Sequence, residues 1–243
     1  MLRWIIKKTE SENNRTIFQY ILYAIAEIVL VLVGILLAVR IDALVNERRE
    51  DKIRCIYLEE LLAVMDEDIT DVEGNIAAFE EWNPVIREVA QALVNSELNQ
   101  LDSLPEKLGT IGNYINFIQG SSTKIDELKY SSTDLILNRV LKTKILKYQN
   151  VDIAFLRDRE RRYDQVGEDL RRYYNKNFVG FNYMRAVPND LEKLEQDKEY
   201  LTQVIQRYYW NQSLKEQYEM ILETQKEIRT MLLAEQEEKC GLQ

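Results

Sequence analysis

Four acidic side chains at neighbouring positions are the first residues whose types and spacing suggest chemistry. Asp66, Glu67, Asp68 and Asp71 fall in a stretch with a helical pattern. Carboxylates bind Ca²⁺ or Mg²⁺ when further oxygens converge on the ion from a loop or a second helix. We therefore interpret this run as a solvated acidic face, with a cation site as the alternative, and we predict no bound metal and no cofactor.

Histidine is missing from all 243 residues. This excludes Ser-His-Asp and Cys-His nucleophiles, His-ligated zinc and an imidazole base. Ser131-Ser132 lies near no base of recognised spacing, and Cys55 and Cys240 form no metal motif and predict no disulfide framework. We expect a protein that is not an enzyme. A His-free enzyme, built on converging carboxylates, is the weakest alternative.

A basic segment interrupts an acidic chain. The net charge is −9, whereas residues 139–176 contain 11 Lys or Arg and 6 Asp or Glu. An acidic total argues against nucleic acid as a partner. We interpret the segment as a solvated helix with ion pairs four residues apart. The alternative is a cationic surface, including Arg171 and Arg172, for acidic lipid or an acidic partner.

Residues 17–39 form a 23-residue apolar stretch in which Glu27 is the one charged side chain. As a helix it would be about 35 Å long, which is enough to cross a hydrocarbon core of about 30 Å. It is longer than the apolar part of a signal peptide and has no cleavage site. We predict an uncleaved signal anchor, with residues 1–16 as an interfacial segment.

One face of this predicted span combines a carboxyl group with small residues. Glu27, Gly34, Ala38, Ala24 and Tyr23 follow helical spacing, and Gly34 and Ala38 form a small-xxx-small pair. A carboxylate in mid-membrane costs about 2.5–3.5 kcal/mol, so Glu27 should be neutral, paired or turned towards other helices. The face predicts self-association or docking against a partner membrane protein. A proton relay and a tolerated lone Glu are the alternatives.

The remaining chain predicts an all-α fold with long helices, because it has few Gly and Pro and no alternating β-branched runs. We divide it into a helical domain at residues 40–188 and a long helix or helical hairpin at residues 189–243. A helix continuous with the span should run to Trp82-Asn-Pro84, where a new helix begins. Later helices are expected at about residues 125–147 and 151–177, with one short helix between residues 95 and 120.

Residues 178–188 break the helical pattern with an aromatic stretch. Phe178, Phe181 and Tyr183 either pack on the core or line a surface for a ligand or partner. After them, Asn189 or Asp190 can cap the last segment. Its apolar residues include Leu201, Ile205, Tyr208 and Leu214, which approximate heptads with a slip near Trp210.

Two stretches resemble an uncharacterised family of single-pass bacterial membrane proteins that is common in Bacteroidetes. The first is Tyr20-Ile-Leu-Tyr-Ala-Ile-Ala-Glu-Ile28 with its continuation to Val39, in which Glu27 and Gly34 match and Ala26 replaces a usual Gly. The second is Asp126-Glu-Leu-Lys-Tyr-Ser-Ser-Thr-Asp-Leu-Ile-Leu-Asn138, in which Thr133 stands where Gly is common. The exit after the span, from Arg40 to Asn46, lacks the family's Trp. The resemblance implies a mostly helical protein anchored by one span in a bacterial inner membrane, and it implies no activity.

We therefore predict a non-enzymatic membrane-anchored helical protein that acts as a scaffold, sensor or assembly subunit and forms homo-oligomers or docks with a partner membrane protein. Charge counts on the two sides of the span do not discriminate its orientation. A short basic tail is awkward to translocate, so we place the large domain outside the cytoplasm, in the periplasm. The alternative function is an extracytoplasmic ligand-binding domain.

Overall fold

The computed structural model describes the backbone of residues 2–113, 115, 117, 136, 138–182 and 184–241. Side chains are described for these residues from 27 onwards and for Ile25. The predictions for Ser131-Ser132, for Tyr183 and for most of the second family-like stretch lie outside the described residues. The same holds for the side chains of the interfacial segment, Tyr23 and Ala24.

The fold is all-α apart from one small hairpin, which confirms the predicted class. Its elements are α1 (Leu2–Asn95), a 3-10 turn (Leu98–Gln100), α2 (Leu104–Ile111), α3 (Arg139–Lys147), a π-helical turn (Tyr148–Asp152), α4 (Ile153–Asn177), β1 (Phe178–Asn182), β2 (Arg185–Pro188), α5 (Leu191–Gln196) and α6 (Lys198–Cys240). The two strands pair antiparallel.

Residue contacts divide the chain into two compact units, Met1–Ile53 and Arg54–Gln243. In the first unit, Ile25 and every residue from 27 to 50 are exposed. The described part of α1 includes a window with a mean hydropathy of 2.7, none of which is buried. Within the described residues, this is the one helix that is long and apolar enough to cross a membrane.

The second unit, which we call the bundle, contains two clusters of buried apolar side chains. The first joins α1 between Tyr57 and Phe79 to α3, to the start of α4 and to α6 between Leu214 and Leu232. The second joins α1 between Ile86 and Leu93 to α2, the end of α4, the hairpin and the start of α6. Burying one such Leu or Phe side chain contributes about 1.5–3 kcal/mol, so these clusters supply the main driving force for folding.

The predicted helix boundary at Pro84 is wrong, because α1 continues through Pro84 to Asn95. Proline removes one backbone hydrogen bond and opposes the carbonyl of Glu80, which costs about 3 kcal/mol. Phe79 and Ile86, on either side of Pro84, are fully buried in the two clusters. The packing of these two side chains stabilises a continuous helix, and such tertiary contacts outweigh the local preference of Pro84 for a helix boundary.

The slip predicted near Trp210 is also wrong. The buried positions of α6 advance by alternating steps of four and three residues: Tyr200, Val204, Arg207, Asn211, Leu214, Tyr218, Ile221, Gln225, Ile228 and Leu232. This is an unbroken 3.5-residue repeat. Polar residues occupy three of its positions. The apolar residues that had suggested a different repeat, Leu201, Ile205 and Tyr208, are only half-buried.

Other predicted boundaries are close to the observed ones. The helix expected at residues 151–177 is α4, and the π-helical turn joins it to α3 without a gap. Asp190 caps α5, since its carboxylate accepts a hydrogen bond from the backbone N–H of Lys193 at 3.1 Å. Asp197 caps α6 in the same way, with the backbone N–H groups of Glu199 and Tyr200.

The hairpin β1–β2 packs against α2 through two glycines of Gly109-Thr-Ile-Gly112. A Cβ added to Gly109 would lie 2.5 Å from the backbone nitrogen of Arg185, and one added to Gly112 would overlap the Phe181 ring. These glycines therefore permit a close approach of the two elements. The hairpin itself was not predicted, because its strands contain too few alternating residues to be distinguished from a loop.

Cys55 and Cys240 form a disulfide bond, with their Cα atoms 5.9 Å apart. The prediction of no disulfide framework is therefore wrong. The two residues are 185 positions apart, and nothing in their spacing indicates that the end of α6 returns to this part of α1. The bond closes almost the whole bundle into a covalent loop.

Candidate functional site

The predicted association face of the span is open in the monomer. Glu27, Gly34 and Ala38 are exposed, and apart from the backbone of α1 itself nothing lies within 4 Å of the position where a Gly34 Cβ would stand. These three residues share one side of α1 because they are spaced seven and four residues apart. The structure thus places a carboxyl group and two small residues, which allow another helix to approach closely, on the same exposed face of α1.

The hairpin aromatics pack on the bundle. Phe178 is 7% exposed and stacks on Tyr174 with ring centroids 4.2 Å apart. The Phe181 ring lies 4.6 Å from Tyr174. Arg171 pairs with Asp164, and Arg172 pairs with acids of α4 as well. The structure therefore joins Phe178 and Phe181 around Tyr174, while both arginines pair along their own helix.

A chain of hydroxyl groups runs through this aromatic cluster. The Tyr174 hydroxyl donates to the carbonyl of Leu108 at 2.7 Å and lies 3.0 Å from the Tyr200 hydroxyl. Because its own proton is engaged, Tyr174 accepts from Tyr200. Burial raises the pKa of both phenols well above the ordinary value of 10.0. They remain neutral donors and have no acid–base role near neutral pH.

The cap of α6 extends this network to Asp197. The Tyr173 hydroxyl donates to the Asp197 carboxylate at 2.6 Å. Burial acts to raise the pKa of Asp197, but the hydrogen bonds from Tyr173 and from the backbone N–H groups of Tyr200 and Glu199 outweigh it and lower that pKa. The carboxylate is therefore held as a stable anion at the helix N-terminus.

The acidic run of α1 is not a uniformly solvated face. Asp68 is 1% exposed and lies 3.5 Å from the Tyr148 hydroxyl, which accepts a hydrogen bond from Gln225 at 2.8 Å. Asp66 forms an ion pair with Arg229. Among the described residues, no group of three or more acidic or Cys side chains is placed to hold a metal ion. The run contributes to packing between α1, α6 and the π-helical turn.

A second buried carboxylate joins α4 to α6. The Tyr218 hydroxyl donates to the Glu160 carboxylate at 2.5 Å, and Glu160 is 4% exposed. Exposed pairs four residues apart also occur on α4, such as Arg162 with Asp158 and Arg172 with Glu168. The basic segment thus has the ion pairs that were expected, and it also has a buried face.

Two adjoining grooves lie between α1 and α6. The first has a volume of about 400 Å³ and is lined by residues such as Asn83, Arg87 and Lys215. The second has about 420 Å³ and is lined by Val94 and Tyr209 among others. Both grooves are open to solvent; polar and charged residues line most of the first, and apolar and aromatic residues line most of the second.

Several polar side chains with buried atoms lie near the positions where the elements of the bundle pass from one apolar cluster to the other. They belong to Asn83 of α1, Asn113 after α2, Tyr163 of α4, and Arg207 and Asn211 of α6. Seven of their side-chain atoms have no hydrogen-bond partner: Oδ1 of Asn83, Oδ1 of Asn113, Oη of Tyr163, Nε and Nη1 of Arg207, and Oδ1 and Nδ2 of Asn211. We call these five residues the polar layer.

Arg207 is the centre of the polar layer. Its guanidinium carbon lies 4.1 Å from the centroid of the Tyr163 ring, and its Nη2 donates to the carbonyl of Asn113. Burial lowers the pKa of Arg207 from its ordinary value of 12.5. Burial also raises the pKa of Tyr163 to about 12, against the opposing effect of the nearby guanidinium.

Sequence reasoning did not find the polar layer. The available signal was Arg207 and Asn211 standing at the 3.5-residue spacing between Val204 and Leu214. A charged residue is rarely buried unless it is paired, so a charged residue within an apolar repeat is expected to be exposed. Only the packing of α4 on α6 shows that Arg207 is enclosed.

Comparisons of this chain with protein-family models, with curated proteins and with solved structures found no significant match.

Proposed function

We propose that this chain is a non-enzymatic, single-pass membrane protein whose helical bundle is held at the membrane by residues 17–39, and that it assembles with copies of itself through the face that contains Glu27 and Gly34. The observation that carries the proposal is the exposure of every described side chain between residues 27 and 50. Apolar side chains in such a row are stable in lipid or against another helix.

The small residues of the span favour helix–helix contact over a solitary anchor. A second helix can approach Gly34 and Ala38 closely, which gains van der Waals contact that lipid does not provide. The same approach would shelter Glu27 among hydrogen-bonding groups instead of acyl chains. An assembly of this kind suits a scaffold, a sensor or a subunit of a larger membrane complex.

The disulfide supports a bundle on the non-cytoplasmic side. Disulfide bonds persist in oxidising compartments such as the bacterial periplasm and are rare in the reducing cytosol. The Cys55–Cys240 bond lies within the bundle. Together with the family resemblance, it favours a bacterial inner-membrane protein with a periplasmic bundle.

Mass measurement in detergent tests the assembly. Wild type should be larger than a monomer, whereas Glu27→Leu and Gly34→Leu should each shift the chain towards monomer. Leu36→Phe, about half a turn away on the opposite face, adds bulk without touching the stripe and should keep the wild-type mass. Monomers in all four proteins would end the proposal.

Ligand binding by the bundle is a second candidate function. The observation that favours it is not the hairpin surface but the polar layer, where Nε and Nη1 of the buried Arg207 have no hydrogen-bond partner.

A further inference from the structure

The helix that runs from α3 through the π-helical turn into α4 combines cations with apolar side chains on its outer face. Val151 is 56% exposed and Phe155 is 47% exposed. Four basic residues are exposed on this face as well: Lys147, Arg157, Arg161 and Arg162. We call these six residues the basic face.

Two of the four cations have no internal partner. Lys147 and Arg162 each pair with an aspartate close by in the chain. Arg157 and Arg161 form no ion pair within the described residues. Arginine and aromatic side chains are enriched in protein interfaces, where they meet complementary charge. The basic face therefore suits a partner that is acidic and partly apolar.

Helix α6 presents the opposite charge on its own outer face. Four exposed residues lie on one side of this helix because they are spaced three and four positions apart: Glu216, Glu219, Met220 and Glu223. Met220 is 56% exposed. Glu219 pairs with Lys215 of the same helix, whereas Glu216 and Glu223 form no ion pair within the described part of the chain. We call these four residues the acidic face.

A shallow groove accompanies the acidic face. It has a volume of about 480 Å³ and is lined by Glu219, Glu223 and the half-buried Leu222 among others. An apolar side chain that entered this groove would contact Leu222 and would bring its basic neighbours close to the two carboxylates. Phe155 has this character, because it is exposed and the guanidinium carbon of Arg159 lies 5.1 Å from the centroid of its ring.

The two faces lie at the same level along the bundle. The Tyr148 hydroxyl accepts a hydrogen bond from Gln225, and the Tyr218 hydroxyl donates to the Glu160 carboxylate. These two bonds place the start of α4 beside the part of α6 that carries the acidic face. Copies related by a rotation axis along the bundle bring together only faces at one level. The basic face of one copy can therefore meet the acidic face of the next.

We infer that the basic face of one copy of this chain docks on the acidic face of a second copy, with Phe155 in the groove and Arg157 and Arg161 beside the unpaired glutamates. A second copy is the favoured partner because one chain carries both complementary faces at one level. The contact rests on the membrane anchor of the proposed function, which confines the copies and raises their effective concentration. Because the faces differ, each copy contacts two neighbours, and the copies form a ring or a row.

Photo-cross-linking of the full chain in proteoliposomes tests the contact. In one population p-benzoyl-phenylalanine replaces Phe155, and a second population carries an affinity tag. A cross-linked dimer that contains both the probe and the tag is intermolecular. Mass spectrometry should place the cross-link on the tagged copy in the part of α6 that lines the groove, between Glu219 and Thr230.

Charge reversal gives two double variants that should fail alone and recover together. Arg157→Glu/Arg161→Glu makes both faces acidic, and Glu216→Arg/Glu223→Arg makes both faces basic. Each double variant alone should cross-link at least about tenfold less than wild type, because like charges would face one another. A mixture, with the probe on the second variant and the tag on the first, should recover the wild-type yield, because a basic face then meets an acidic one.

Arg87→Glu/Lys198→Glu is the matched control. Arg87 and Lys198 are exposed, belong to neither face and form no ion pair within the described residues. This variant changes the net charge as much as Arg157→Glu/Arg161→Glu does. It should cross-link like wild type, so that a loss of yield can be assigned to the basic face and not to net charge.

The inference is overturned if wild type forms no dimer with both probe and tag, if either double variant cross-links as wild type does, or if their mixture does not recover. Loss in each variant with recovery in the mixture supports it, and misfolding cannot produce that recovery. In a Gly34→Leu chain the cross-link should persist in proteoliposomes, and its complete loss there would show that the bundles do not dock by themselves. The contact between bundles and the assembly of the span can therefore fail separately.

Discussion

Exposed apolar side chains along the first unit contrast with buried polar ones along α6. Between Ile28 and Val39 the large apolar residues are about half to three-quarters exposed. In α6, Arg207, Asn211 and Gln225 are at most 1% exposed. An apolar segment therefore does not by itself indicate a protein core, and a polar residue does not by itself indicate a surface position.

Each region also contains an ionisable group whose desolvation must be compensated by contacts from outside its own helix. Glu27 is the one charged residue of the apolar stretch, and Arg207 is a fully buried cation of the bundle. A charge is costly in lipid and in a protein interior for the same reason, which is the loss of hydration. We propose that a second copy of the chain shelters Glu27, whereas Arg207 lies against the Tyr163 ring and donates to the carbonyl of Asn113 within the bundle.

The largest effect is expected from the disulfide, which holds the bundle and leaves the span free. Cys240→Ser should lower the free energy of unfolding of the bundle by about 2–5 kcal/mol, because the closed loop is long. Urea titration with tryptophan fluorescence measures this. Reductant should destabilise wild type to the same degree and leave the variant unchanged. An unchanged wild-type midpoint in reductant would show that the covalent loop does not stabilise the bundle.

A charge placed on an exposed apolar residue should distinguish the two environments. Leu36 is 65% exposed and Val140 is 67% exposed. Leu36→Arg should disfavour membrane insertion by up to about 2.5 kcal/mol, because residue 36 lies towards one end of the span, whereas Val140→Arg should change stability by no more than about 0.5 kcal/mol. Carbonate extraction of membranes measures the inserted fraction. Equal insertion of both variants would contradict a lipid environment for residue 36.

Glycine substitutions should separate a packed surface from an open one. Gly109→Ala should destabilise the bundle by about 1–3 kcal/mol, because the added Cβ meets the backbone of β2, which cannot move aside. Gly34→Ala and Gly180→Ala should leave the bundle's unfolding midpoint unchanged, since nothing lies within 4 Å of either position. A neutral Gly109→Ala would mean that the hairpin is not packed on α2.

The smallest effect concerns buried phenols at alkaline pH. Burial raises the pKa of Tyr163 from 10.0 to about 12, so its contribution to stability is complete below pH 10 and is lost as pH rises towards 12. Unfolding should therefore accompany tyrosinate absorbance in this range. Tyr163→Phe should move the alkaline midpoint slightly upwards. A downward shift would show that the hydroxyl stabilises the fold.

Local patterns in the chain were sufficient for much of the architecture. The scarcity of Gly and Pro predicted long helices, the apolar run at residues 17–39 predicted a helix able to span a membrane, and Asp190 was recognised as a cap. Pro84 and the supposed slip near Trp210 misled because each depends on what packs against the helix. The hairpin and the Cys55–Cys240 bond escaped because both join residues whose proximity is a property of the fold.

The sequence by itself determined which segments are helical and which of them is apolar enough to cross a membrane, because helix propensity and hydrophobic spacing act over a few neighbouring residues. Only the tertiary structure decided which face of α6 is buried, which glycines allow close approach, and that Arg207 lies against the Tyr163 ring. Such contacts join residues far apart in the chain, and the desolvation of Arg207 exists only once α4 and α6 have packed.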